Sequence, residues 1–367
     1  MSIVIALDSL KGSLPAAAAA EALGAGWAEV APGADLVLRP MADGGEGTLD
    51  AFAAAVPGAQ RHPVRVHGPR GTEIDAEWLE LPGSTGVVEL ASTSGIELLG
   101  EARLPWDADT TGFGEAIVAA LDAGVERLVL GIGSSASTDG GAGMLRALGA
   151  RFRDADGVDI ARGARGLASV SAVDLSRVRA MPPGGVTVLS DVTNPLTGPE
   201  GAAHVFGPQK GFAEADIAAV DDALHRFARL IAVGRPELDP RMPGAGAAGG
   251  TGFALAAWGA RLVPGAGQVA ELIGLREAVD AASLVVTGEG SYDTQSAAGK
   301  VPSFVREIAD ASGVPTALVA GRISADADVS AFAHALSLTA LAGSPEASMA
   351  DPAAWLREAG RRLASAF

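Results

Sequence analysis

Residues 283–301 read SLVVTGEGSYDTQSAAGKV. The apolar run Leu284-Val285-Val286, bounded by Gly288 and Gly290, has the length and β-branched content of a buried strand, so the loop after it leaves the strand's carboxyl end. Open α/β sheets bind ligands at that edge. The loop carries Glu289, Asp293, Gln295 and Lys300 among glycines and hydroxyls, which supplies a metal-binding carboxylate, a polar orienter and a cation within one short excursion. Such a mixture suits a phosphorylated substrate. The plainer reading is a polar loop in which Asp293 or Ser296 caps a helix beginning near Val301.

Strand–helix alternation continues on both sides. Downstream, 316–320 and 335–341 read as strands, and 303–311 and 352–364 as helices. At the start of the chain, the apolar run 3–7 ends in Asp8, and Ser9-Leu10-Lys11-Gly12-Ser13 precedes an alanine-rich helix over 14–30. Ser13 is its expected N-cap, with Pro15 in the first turn. A second strand over 35–39 leads to Asp43-Gly44-Gly45-Glu46-Gly47-Thr48 and a helix through Val56. Five strands divided two and three predict an α/β fold, a flavodoxin-like parallel sheet ordered 2-1-3-4-5 with a second α/β domain inserted into it. The expected boundaries are 1–60 with 282–367 for the discontinuous domain and 61–281 for the insertion, with the site in the cleft between them.

The insertion opens on three alternating or apolar runs, 63–66, 73–79 and 87–90, separated by Gly/Pro turns, which predicts an antiparallel meander. A helix over 111–123, a strand over 127–130, a helix over 140–148 and a strand over 186–189 follow. The last leads into Ser190-Asp191-Val192-Thr193-Asn194-Pro195. The Phe206-Gly207-Pro208-Gln209-Lys210-Gly211 connection then precedes a helix over 213–232.

Composition narrows the function. The 367 residues exceed one comfortable core. Forty-four acids against 27 bases leave a net charge of −17, which argues against nucleic acid or an anionic membrane surface and for small-molecule partners. No stretch has the length of a membrane span and no leader pattern opens the chain, so a cytoplasmic protein is expected. The absence of cysteine excludes disulfides, thiolate catalysis and cysteine metal sites. Of the 27 basic residues only Lys11, Lys210 and Lys300 are lysines, and each adjoins a glycine. A chain that otherwise writes arginine keeps lysine where a compact, flexible ammonium is needed; leftover composition is the alternative. The lone Tyr292 reads as packing.

Two loops share DGGxG, at 43–47 and 139–143. Consecutive glycines after an aspartate, ahead of a helix, can turn backbone N–H groups toward an anion while the aspartate holds Mg²⁺; a capped helix start is the alternative for each. Gly131-Ile132-Gly133-Ser134-Ser135-Ala136 matches a dinucleotide fingerprint after a strand, but its helix would have to start at the second glycine and no second strand reaches Asp154. The run 243–250, PGAGAAGG, reads as a flexible loop able to close over phosphate. There is no Walker sequence or nucleophile elbow, and the five histidines lack metal-ligand spacing. What remains, carboxylates and lysines in glycine-rich loops, is the equipment of Mg²⁺-dependent phosphoryl transfer.

In order and spacing, IALDSLKGS, ADGGEGT, GIGSSASTDGGAG, SDVTNPLTG, FGPQKG, PGAGAAGG and TGEGSYDTQSAAGKVP closely resemble the bacterial type 1 glycerate kinase family, over nearly the whole chain. The resemblance implies ATP- and Mg²⁺-dependent phosphorylation of D-glycerate to 2-phosphoglycerate in glycerate or glyoxylate catabolism, with 3-phosphoglycerate as the alternative product. The family pattern reads close to GIGGSATNDGGAG, where this chain has Ser134, Ser137 and Thr138, and it commonly begins APDS where this chain has Ala6-Leu7-Asp8-Ser9. These departures spare every charged residue and bear on substrate or nucleotide positioning. The expected metal ligands are Asp8, Asp43 and Glu289. Lys11 and Lys300 are expected on phosphate or the glycerate carboxylate, and Asp191 or Asp293 on the attacking hydroxyl. Substrate or nucleotide contacts are expected at Ser9, Gly44, Gly45, Gly133, Ser135, Asp139, Gly140, Gly141, Asn194, Lys210, Gly288 and Gln295. Rival readings are a dinucleotide-dependent oxidoreductase using Gly131, Gly133 and Ala136, and a non-catalytic ligand sensor. Monomer and homodimer both stay open.

Overall fold

The computed structural model describes residues 1–10, 12–294 and 301–367, so the expectations at Lys11, Gln295, Ser296 and Lys300 lie outside the described residues. The chain divides into two compact units. One comprises Met1–Asp43, Asp50–Pro57 and Ala266–Phe367, the other Gly44–Leu49 and Gly58–Gly265.

The first unit is built on a five-stranded parallel sheet ordered Asp35–Leu38, Ser2–Leu7, Leu284–Gly288, Thr316–Ala320, His334–Ser337, which is the 2-1-3-4-5 order of a flavodoxin-like fold. Its three central strands are apolar almost throughout because helices cover both faces of a parallel sheet. Ile3, Ile5, Leu284 and Val286 pack with Leu23 and Trp27 of the helix Ala16–Val30 and with Leu356 and Leu363 of Pro352–Ala366. Those two helices touch backbone to backbone: a Cβ on Gly26 would stand 1.8 Å from the Arg357 carbonyl oxygen, and one on Gly360 2.1 Å from that of Leu23. The alanine and glycine content of the first helix therefore serves close packing as well as propensity.

Two local expectations are corrected here. Ser13 does not cap the first helix: its hydroxyl donates to Leu10 O at 2.9 Å, and Pro15, in extended conformation, precedes the first helical residue. The strand expected over 335–341 stops at Ser337, whose Oγ accepts from Ala340 N and starts the helix Leu338–Ala342.

In the second unit a six-stranded sheet runs Arg261–Val263, Val186–Leu189, Arg127–Gly131, Thr85–Glu89, Glu73–Leu81, Gln60–His67. The last three form the antiparallel meander and the first four are parallel. Phe113, Phe152, Phe227 and Phe253 fill its core. Residues 266–281 group with the first unit, not with the insertion, and the helix Leu275–Asp280 packs there on Val301–Ala311. Gly44–Leu49 group with the second unit.

Candidate active site

In the first unit, neighbouring strands pair Leu7 with Gly288, so the next residue of each chain is a carboxylate, Asp8 and Glu289. Asp8 N continues the ladder to Gly288 O at 2.9 Å, and Asp8 Oδ1 accepts from Ser9 N at 2.7 Å. Both side chains are nearly buried, 8% and 7% exposed, at the edge where parallel sheets present ligand-binding loops. Gly288 is required by its neighbour: a Cβ there would meet Val319 O at 1.7 Å. On the other side, Arg39 N and Met41 N donate to Ile5 O and Leu7 O at 2.8 Å each, so Asp43 follows two residues beyond the last of these bonds. Tyr292 is buried edge-on against Phe332, as packing, and Asp293 is half-buried just after it.

Among the described residues no group of three or more His, Asp or Glu side chains could hold a metal ion between them. The adjacent pair Asp8 and Glu289 nevertheless suits Mg²⁺, which is commonly held by one or two carboxylates, with substrate phosphates and water completing its shell.

In the second unit, strand pairing aligns Glu89 with Gly131, Gly131 with Leu189, and Leu189 with Val263, placing four loops along one carboxyl edge. The Gly44-Gly45 segment lies directly on this edge. Gly133 N donates to Gly44 O at 2.9 Å, a Cβ on Gly133 would stand 2.5 Å from Gly45 Cα, and one on Gly44 would stand 2.5 Å from Leu189 O. Gly131 and Gly133 are thus present for contact between two backbones. No helix starts at Gly133, the next helix being Ala142–Ala147, and the strand Arg151–Arg153 pairs antiparallel with Ala172–Asp174. The dinucleotide fingerprint is not formed.

In each DGGxG loop protein groups accept from part of the backbone amides. Glu89, 4% exposed and absent from the sequence-based set, accepts from Leu49 N at 3.0 Å and Gly47 N at 3.3 Å, so a protein carboxylate occupies the start of the helix Thr48–Ala55. In the second loop Asp139, fully buried, accepts from Gly141 N, Gly143 N and Thr110 N at 3.0–3.1 Å and from the hydroxyls of Thr110 and Ser137 at 2.8 and 3.3 Å. Gly140 N donates to Gly249 O at 3.0 Å. Asp139 and Gly141 thus tie the loop to itself, and Gly140 ties it to the 243–250 run. Burial and the neighbouring charge of Asp109 push the Asp139 pKa up, while the N–H groups of Gly143 and Thr110 oppose that shift. Asp109 is itself held by the Arg162 fork at 2.6 and 2.7 Å.

The 243–250 run is buried over most of its length and lies against the Asp139 loop. Ala248, Gly249 and Gly250 are consecutive left-handed residues, and a Cβ on Gly249 would meet Ser137 O at 2.1 Å. It packs the Asp139 loop from behind and is no open phosphate cover.

Lys210 is 3% exposed, with Nζ donating to Ser135 Oγ at 2.7 Å and to Ser137 O at 2.5 Å. Asp191 is exposed, and its Oδ1 accepts from Gly265 N at 2.8 Å, at the start of the helix Gly265–Leu272. Asn194 Nδ2 donates to Glu200 O at 2.8 Å, and its carbonyl accepts from Gly246 N at 2.9 Å, so it braces two loops. Among the described residues no helix is long and apolar enough to cross a membrane.

A model described as the Glycerate kinase family matches residues 3–367. The chain is 43% identical over 333 residues to a protein of Escherichia coli (strain K12) named glycerate 2-kinase, covering 90% of this chain and 87% of the relative. It is 43% identical over 337 residues to the glycerate kinase of Bacillus subtilis (strain 168), covering 89% and 87%. A crystal structure from Salmonella typhimurium LT2, described as a glycerate kinase 2, superposes with a TM-score of 0.85 at 40% identity, covering 100% of this chain and 98% of that one.

Proposed function

This chain belongs to the glycerate kinase family, and from that premise we propose that it transfers the γ-phosphoryl group of ATP to the 2-hydroxyl of D-glycerate, giving 2-phosphoglycerate and ADP. The observation that carries this reading is the Asp8–Glu289 pair, two nearly buried carboxylates on adjacent strand ends of a flavodoxin-like sheet. Asp8 and Glu289 would hold Mg²⁺, which would supply charge neutralisation where phosphate otherwise adds anion to anion.

The chain's own contribution is positioning and proton handling. A carboxylate at Asp293 or Asp191 takes the hydroxyl proton as the glycerate oxygen bonds to phosphorus and the β–γ bridging oxygen leaves with ADP. Lys11 and Lys300 are assigned to phosphate or the glycerate carboxylate on their chemistry and their glycine neighbours. The 2-position of transfer is supported by the name of the Escherichia coli relative.

Purified protein with Mg-ATP and D-glycerate tests the reaction. ADP should be released, and the product should be consumed by enolase directly. A signal that requires added phosphoglycerate mutase identifies 3-phosphoglycerate and overturns the regiochemistry, and no ADP release overturns the reaction.

A further inference from the structure

Lys210 sits in the turn Pro208–Lys210 with its amine turned inward. Its two acceptors, Ser135 Oγ and Ser137 O, belong to one loop, the one between the strand Arg127–Gly131 and the Asp139 hub. That loop does not adopt a relaxed conformation. Ser134 is left-handed at φ 58°, a region unfavourable to a residue with a Cβ, so outside contacts have to maintain it. Backbone bonds fix other parts of the loop: Ile96 N to Ser134 O at 2.8 Å, Ala136 N to Ser94 O at 3.0 Å, and Gly133 N to Gly44 O. Ser135 Oγ and Ser137 O take their hydrogen bonds from the Lys210 amine.

Burying an amine is costly, and the environment registers that cost: desolvation brings its pKa down to about 7 against the opposing pull of Asp139. The amine donates to both acceptors present, Ser135 Oγ and Ser137 O. A guanidinium could not be seated there without leaving donors unsatisfied. This agrees with lysine being kept at 210 in a chain that otherwise writes arginine, although the residue has no face toward solvent from which to reach a phosphate.

We propose that Lys210 is a positioning residue of the kinase: it fixes the Ser135 hydroxyl and the 133–139 backbone from behind and touches neither nucleotide nor glycerate. The activity readout rests on the reaction proposed above; the geometric readout does not.

The test compares Lys210→Met, Lys210→Arg, Ser135→Ala and the Lys210→Met/Ser135→Ala double variant by steady-state kinetics and by amide hydrogen exchange. Lys210→Met should lower kcat about ten- to a hundredfold, the scale of a misplaced reactive group, with a smaller change in KM, and Lys210→Arg should not rescue it. The double variant should be within about twofold of the worse single variant, since Lys210→Met already removes the Ser135 contact. Exchange should accelerate at 133–139 in Lys210→Met while other protected amides keep their rates. Multiplicative kinetic losses, or a raised KM at wild-type kcat, would make Lys210 a ligand contact and overturn the proposal. Unchanged exchange at 133–139 would also overturn it. If Lys210→Met does not fold, Ser135→Ala, a small truncation at the same contact, must loosen the same amides or the proposal fails. Should wild-type protein release no ADP, the reaction falls, while exchange still decides the role of Lys210.

Discussion

The carboxylate of Glu89 accepts a hydrogen bond from the backbone N–H of Leu49 at 3.0 Å, across 40 residues of chain. It caps the first turn of Thr48–Ala55 from outside that helix. Glu89→Ala should therefore destabilise the protein by about 1–2 kcal/mol. Glu89→Gln, which keeps one acceptor oxygen, should lose less. Urea unfolding of the two variants measures this, and equal stability of Glu89→Ala and wild type would remove the capping role.

Asp139 separates a structural from a ligand-binding reading of the second DGGxG loop. Its five donors are all protein groups, so Asp139→Asn would set an NH₂ against N–H and O–H donors in a buried site. The expected loss is about 3 kcal/mol of stability. Wild-type melting combined with weakened ATP binding would instead make Asp139 a nucleotide contact.

The buried amine of Lys210 also predicts a pH dependence. Its pKa falls from 10.5 in the unfolded chain to about 7 in the fold, so between those values the unfolded state binds more protons. Stability from this group is full above 10.5 and is lost as pH falls toward 7. The stability of wild type relative to Lys210→Met should thus rise from pH 7 to pH 10, measured by urea midpoints at fixed ionic strength. A flat difference would show that the amine is not sequestered.

Metal dependence follows from the first sheet. Activity should vanish in excess EDTA and return with Mg²⁺ or Mn²⁺. Asp8→Asn and Glu289→Gln should each raise the Mg²⁺ concentration for half-maximal activity about tenfold, whereas Asp43→Asn should shift it less. An Asp43 variant more metal-dependent than either would restore the three-carboxylate arrangement.

The lysine composition makes a prediction of its own. If Lys11 and Lys300 each present a compact ammonium to phosphate or carboxylate, Lys→Arg should fail almost as badly as Lys→Met, by about ten- to a hundredfold in kcat/KM. Near-wild-type kinetics for both arginine variants would reduce these lysines to compositional leftovers.

The first sheet was legible because its strands are apolar runs with polar loops at one end, and the strand–helix alternation around 3–7 and 284–286 admits few orders. Arg261–Val263 was not, since three residues carry no periodicity to read. Glycine spacing marks the loops at 43–47 and 131–133 without showing what packs against them. Gly131 and Gly133 are small because Gly44 and Gly45 lie against them, a contact between segments far apart in sequence. The Gly47 amide of the first DGGxG loop looks available in the sequence because its acceptor, Glu89, belongs to a different strand. Asp8 and Glu289 were readable because each directly follows its strand.

The central strands of the first sheet, Ser2–Leu7 and Leu284–Gly288, come from opposite ends of the chain, and Thr287 Oγ1 bonds Ala6 O across 281 residues. On a ribosome, the N-terminal strand must therefore wait for its partner to be made, roughly 10–60 s at ~5–20 residues per second. Throughout that interval Ile3, Val4, Ile5 and Leu7 keep one open apolar edge, opposite the Asp35–Leu38 neighbour, of the kind that recruits chaperones or aggregates. If the lifetime of this six-residue strand limits expression, slowing translation within 58–265 should depress yield more than slowing translation after 288.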